Sequence, residues 1–123
     1  MNATKPKQNL PVLRQQHHAD CFVCGSPRGQ GLGLDFRMDP SGVVEASFPC
    51  QPIFAGYPGM LHGGIICTLL DGAMTNCLFA HGRAAVTVDM NVRFRRPVAI
   101  SLPAVVRGWL ESKRSPVYRL ASE

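Results

Sequence analysis

The alternation of apolar and polar positions is sharpest over residues 86–95. Val86, Val88, Met90, Val92 and Phe94 fall on one side, and Thr87, Asp89, Asn91, Arg93 and Arg95 on the other. A period of two predicts a β-strand with one covered face. Arg96-Pro97 closes it, and two more strands are expected at 102–110 and 116–121. Upstream, 32–38 and 43–48 read as strands around Asp39-Pro40-Ser41-Gly42, a turn composition that predicts a hairpin. Between these groups the pattern changes. From about Gly63 to Ala80 the breakers thin out and Ile, Leu, Met and Phe crowd in, which predicts a helix. His81-Gly82-Arg83 supplies its stop. Positions 68, 71, 72, 75 and 76 hold Thr, Asp, Gly, Thr and Asn, one helical stripe of polar or small residues. Apolar side chains occupy the other faces, so this helix is expected to be buried on most sides. Two strands, one buried helix and at least three strands make an α+β domain, its antiparallel sheet curled around the helix. Residues 1–20 are expected to be a flexible arm with a turn of helix near 12–16, and residues 21–123 a single domain.

Composition narrows the class. The chain has 123 residues, enough for one modest core. Asp71, Asn76 and His81 interrupt its longest apolar run, so no membrane-spanning segment is expected. The stretch Met1-Asn2-Ala3-Thr4-Lys5-Pro6 lacks the apolar core of a signal peptide. The five cysteines are an odd number, read as reduced thiols of a cytoplasmic protein. A net charge of +5 favours polyanionic partners, either nucleic acid or a phosphate-bearing small molecule. One Trp, two Tyr and no recognised motif give nucleic acid little support.

The candidate chemistry gathers at the helix start. Gly56, Pro58, Gly59, Gly63 and Gly64 make a compact loop that lets backbone approach a ligand. Unpaired amides at a helix N-terminus attract an anion or polarise a carbonyl. Asp71 is the helix's one acid. It stands seven residues after Gly64, roughly 10 Å along an α-helix. If both act on one bond, they come from different subunits, with two such helices antiparallel across a two-fold axis. Farther upstream, His17-His18-Ala19-Asp20-Cys21-Phe22-Val23-Cys24-Gly25 holds a Cys-x-x-Cys beside two histidines. That pattern fits half a zinc site or a redox pair. A second ligand pair and a βαβ pattern are missing, so a packed turn is expected and no metal.

Leu61-His62-Gly63-Gly64, Leu70-Asp71 and Val86-Thr87-Val88-Asp89-Met90-Asn91-Val92 resemble the hotdog-fold acyl-CoA thioesterases of the phenylacetate-pathway type. Cys21-Phe22-Val23-Cys24-Gly25 followed by Gly31-Leu32-Gly33-Leu34 is similar to a bacterial subgroup of that superfamily. The resemblance implies a curved antiparallel sheet around one long central helix. It also implies homodimers, often dimers of dimers, and hydrolysis of acyl-CoA thioesters without metal or other cofactor. Carried across, the amide of Gly63 or Gly64 holds the thioester carbonyl. Asp71 is nucleophile or general base, Thr87 places the water or the acid, and His62 orients the loop. Gly56, Tyr57, Met60, Leu61 and Thr68 are expected to bind substrate, with Arg93, Arg95 and Arg96 on the phosphates of CoA. Relatives often carry Asn or Gln where this chain has Gly56. The chain stops at Glu123, short of the family's last strand, so a sheet one strand short is expected. The alternative reading is a non-catalytic acyl-CoA-binding protein of the same fold.

Overall fold

The computed structural model describes residues 6–26, 29–114 and 116–123. Residues 1–5 of the expected arm and Pro27 of the glycine loop lie outside the described residues. The elements run α1 (Pro6–His18), β1 (Arg37–Met38), β2 (Val44–Phe48), a 3₁₀ turn (Pro52–Phe54), α2 (Gly63–Ala80), β3 (Ala104–Arg114) and β4 (Val117–Ser122). The four strands form one antiparallel sheet in the order β1-β2-β3-β4, and α2 packs against it.

Helix α2 begins and ends where the sequence places its boundaries. At its end Gly82 turns left-handed at φ 78°, and its amide and that of Arg83 close on Phe79 O and Leu78 O at 2.9 and 3.0 Å. The hairpin forms as expected. Asp39 Oδ1 accepts from the amides of Ser41 and Val43 at 2.8 and 3.1 Å, and Gly42 takes φ 91°. In β2, Val44, Ala46 and Phe48 enter the core while Glu45 and Ser47 face out. The register sets Glu45 opposite Arg107, and the two form a 2.8 Å ion pair. Both side chains are half exposed, so the pair is worth under about 1 kcal/mol. On the inner side of β3, Gly108 lets the sheet lie directly on the backbone of α2. A Cβ there would stand 2.8 Å from Ala73 C and O.

The structure corrects four expectations. Residues 6–18 are a helix, not a flexible arm, because Leu10 is buried in the core. Residues 32–36 make no ladder. The amides of Leu32 and Leu34 donate to Phe22 O and Val23 O, so the Cys-x-x-Cys turn takes the bonds a strand would have used. Residues 86–95 also make no ladder, and Val86 and Val88 are 84% and 89% exposed. Val86 and Val88 are left uncovered among the described residues, and only β3 and β4 follow α2 in the sheet. Finally, α2 is long and apolar enough to span a membrane by length and composition, despite Asp71 and Asn76. It is the core helix, with Leu69, Ala73, Cys77 and Phe79 among its buried residues.

Candidate active site

Backbone hydrogen bonds fix the start of α2. The Leu61 amide donates to Val98 O and that of His62 to Phe54 O, both at 2.8 Å, and Gly56 N–H closes the loop on Met60 O at 2.9 Å. His62 is the N-cap, and its Nδ1 accepts from Gly64 N–H at 2.8 Å. That bond places the imidazole proton on Nε2. It also occupies the Gly64 amide. The amide of Gly63 has no acceptor among the described residues and remains the available donor. A Cβ on Gly63 would stand 3.4 Å from Phe94 Cε1, so an aromatic ring lies over this position.

A cavity of about 750 Å³ opens here. It brings together Gly56, Tyr57, Met60, Leu61, His62, Gly63, Arg95 and Arg96 of the residues expected at the site. Arg95 and Arg96 are exposed at its edge and have no acidic partner among the described residues. Arg93 is exposed but outside this lining. Thr68 is outside it too, because its Oγ1 donates back to Gly64 O at 2.9 Å. Phe94, Pro97, Val98 and Ile66 also line the cavity and were not anticipated. The sequence places Phe94 on the apolar face of residues 86–95, and its position next to the paired arginines is the signal that points to the cavity.

Asp71 is not part of that cavity. It lies two turns along α2, half-buried, and its Oδ1 accepts from Thr87 Oγ1 at 2.7 Å. The other carboxylate oxygen has no hydrogen-bond partner among the described residues. The chain therefore carries two separate groups of candidate residues. One has an oriented amide, an aromatic lid and two cations. The other has a carboxylate held by a hydroxyl. The polar stripe of α2 divides in the same way, with Asp71 and Thr75 half-buried while Gly72 and Asn76 are wholly buried. Gly56 packs close on His62, where a Cβ would come within 3.3 Å of His62 Cα.

A separate cluster lies at the end of α1. The donor atoms of His18, Cys21 and Cys24 stand within 4.8 Å of one another. Burial pushes the Cys24 thiol up to about 11, with opposing and reinforcing effects from Asn76 and Cys21. A thiol of that kind is no nucleophile at neutral pH. Burial also pulls the His18 imidazole below its ordinary value, against the opposing charge of Asp71.

Residues 58–115 match the family model of the thioesterase superfamily. The bovine (Bos taurus) acyl-coenzyme A thioesterase THEM4 is 32% identical over 84 residues, covering 66% of this chain and 34% of that protein. The chain thus spans about a third of the length of the curated relatives it matches. Among solved structures, a thioesterase superfamily protein matches with a TM-score of 0.77 at 23% identity, over 84% of this chain and 51% of its own. A phenylacetic acid degradation-related protein from Ralstonia eutropha matches at 0.68 and 21%, over 94% and 86%. A Bacillus halodurans protein solved with CoA matches at 0.63 and 18%, over 98% and 83%. With its long helix laid on an antiparallel sheet, the chain has the hotdog fold of these solved structures, and over residues 58–115 its sequence matches the thioesterase superfamily.

Proposed function

We propose that this chain hydrolyses acyl-CoA thioesters at sites shared by two copies of itself. The observation that carries the reading is the division of the site: Asp71 lies outside the cavity that holds Gly63 of its own protomer. Paired antiparallel, two α2 helices bring each helix start to the other's carboxylate. The exposed valines of residues 86–95 and their unpaired backbone support a second copy as neighbour. The bovine relative's name and the CoA-bound structure support the substrate class.

The chemistry follows from the parts. The thioester carbonyl oxygen accepts from the Gly63 amide, and the helix dipole favours the negative charge that develops there. Asp71 of the partner takes a proton from water, whose oxygen adds to the carbonyl carbon, or attacks that carbon directly. Thr87 holds one carboxylate oxygen and leaves the other directed to this task. The C–S bond then breaks, and CoA leaves as thiolate and takes up a proton. The water route yields the free acid at once. Direct attack leaves an acyl–Asp71 anhydride, which a water molecule hydrolyses to the free acid and the regenerated carboxylate. The reaction draws on no metal or further cofactor. Tyr57, Met60 and Phe94 suit an aromatic or medium aliphatic acyl group. A homodimer in the cytoplasm, with a dimer of dimers as the larger assembly, completes the reading.

Mixing inactive variants tests the shared site. Asp71→Ala and Gly63→Val should each be inactive alone, the second because a branched side chain blocks the amide. Hybrid dimers of the two contain one site with both groups intact. Random mixing of subunits should restore about a quarter of wild-type turnover. No recovery in demonstrated hybrids would place both groups in one protomer and end this reading. CoA binding without thiol release by wild type would favour the non-catalytic alternative, to which Gly56, lacking an amide side chain, lends weight.

The arginines give a second expectation. Arg95→Ala with Arg96→Ala should raise KM for acyl-CoA by about tenfold and leave kcat nearly unchanged, since phosphates far from the reacting bond are bound equally in ground and transition states. Salt should raise the wild-type KM in the same sense. Arg107→Ala, whose arginine pairs with Glu45 on the sheet, should leave KM unchanged.

A further inference from the structure

We propose that His18, Cys21 and Cys24 bind a zinc-class divalent cation through three protein ligands, with the fourth position open to the cavity beside α1. Along the sequence, Cys21-x-x-Cys24 beside two histidines lacks a second ligand pair. Folding adds His18, the last residue of α1, to the set. Zinc with Zn–S of about 2.3 Å and Zn–N of about 2.0 Å requires donor–donor edges of about 3.5–3.8 Å. His18 Nδ1 and Cys24 Sγ stand 3.6 Å apart, already at that length. No pair exceeds 4.8 Å, so the widest edge must shorten by about 1 Å, which a change of side-chain torsion supplies.

The turn that carries these donors is built closely. Cys21 N–H donates to His18 O at 3.1 Å, Gly25 N–H to Cys21 O at 2.8 Å, and Ser26 N–H to Ala19 O at 2.9 Å. Val23 N–H points at Cys21 Sγ from 3.4 Å. Only glycine closes this turn. A Cβ on Gly25 would lie 2.4 to 2.5 Å from His18 O, Ala19 O and Cys21 N. Asn76, fully buried, adjoins Cys24, and its Oδ1 has no partner among the described residues. Its Nδ2 donates to Gly72 O at 2.9 Å, so the unpartnered oxygen is the one polar atom of this side chain left over.

His18 and Cys24 open on a cavity of about 490 Å³ that also includes Gln30 and Asp35. Asp35 is engaged by Arg14 and Arg37, so water takes the fourth position. Binding exchanges the two thiol protons for the dication, whose charge offsets the desolvation of the sulfurs. The nitrogen and sulfur donor set favours zinc over magnesium or calcium. Such an ion ties the end of α1 to the loop that packs on Gly72 and Asn76 of α2, and so serves structure.

The test uses the full chain, reduced and stripped with chelator, then titrated with Co²⁺ and afterwards Zn²⁺. One equivalent of Co²⁺ should produce thiolate-to-cobalt charge-transfer absorption, and Zn²⁺ should displace it. Cys21→Ser and His18→Ala should each weaken Co²⁺ binding at least about 100-fold. Cys67→Ser, altering a cysteine outside the cluster, should leave binding intact. Circular dichroism separates loss of binding from loss of fold, and the two ligand variants make the result independent of either one. Absence of the band in reduced wild type, as expected if Cys21 and Cys24 serve only as a disulfide pair, would overturn the site. So would a band that survives Cys21→Ser in full. Neither outcome depends on whether the chain hydrolyses thioesters.

Discussion

Replacing Asp71 with alanine lowers kcat/KM for acyl-CoA hydrolysis by about 1,000-fold while the protein keeps its fold. The size follows from the role. A positioned base or nucleophile contributes about 100- to 10,000-fold, and no other carboxylate among the described residues is hydrogen-bonded to Thr87. Asp71→Asn keeps the shape and the Thr87 contact but cannot take a proton, so it should fall nearly as far. KM should change little, because the carboxylate acts on the reacting bond and not on the CoA phosphates. Thr87→Val should cost about tenfold by releasing one carboxylate oxygen, a smaller effect because the hydroxyl acts through Asp71. Thiol release from an acyl-CoA panel, followed side by side for the three variants and wild type, measures all of this. Turnover by Asp71→Ala at the wild-type rate would remove Asp71 from the reaction.

Gly108→Ala is expected to cost about 1–3 kcal/mol of folding stability, and Gly108→Val more. The added Cβ meets Ala73 C and O at 2.8 Å, and these are backbone atoms of a helix that cannot turn aside. Gly72 makes an instructive contrast. A Cβ there meets Val23 Cγ1 at 2.7 Å, the end of a side chain, which has more room to move. Gly72→Ala should therefore cost less than Gly108→Ala. Against a total stability of about 5–15 kcal/mol, either loss is measurable from denaturant midpoints. A Gly108→Ala protein as stable as wild type would mean that β3 does not lie on α2 as closely as described.

Elements whose signals are local could be read from the chain. The helix from Gly63 to Ala80 has its capping histidine, its apolar run and its glycine stop within one stretch. The hairpin at Asp39 is closed by a side chain four residues from its last donor. The extended segments fared differently, because alternation predicts a face and not a neighbour. Residues 86–95 alternate without error yet find no ladder, since a strand's partner is a matter of tertiary placement. Leu34 and Phe36 enter the core as their spacing implies, but the Cys21–Gly25 turn claims the backbone around them. Leu10 in the core and His17 and His18 against Phe79 dock α1, weak signals in a polar stretch with Pro11 inside the helix. At the site, the glycine loop, His62 and the arginines were legible from residue type. That His62 occupies the Gly64 amide and leaves that of Gly63 available was not, because it depends on the direction of one imidazole.

Residues 86–95 present apolar side chains at every second position with an open row of amides. Such an edge is a template for fibril growth. With the pairing proposed above, a newly made chain carries that hazard until a second copy arrives, so dilution would prolong the dangerous interval instead of relieving it. Asp89, Arg93 and Arg95, set between the apolar positions, act as gatekeepers during that wait.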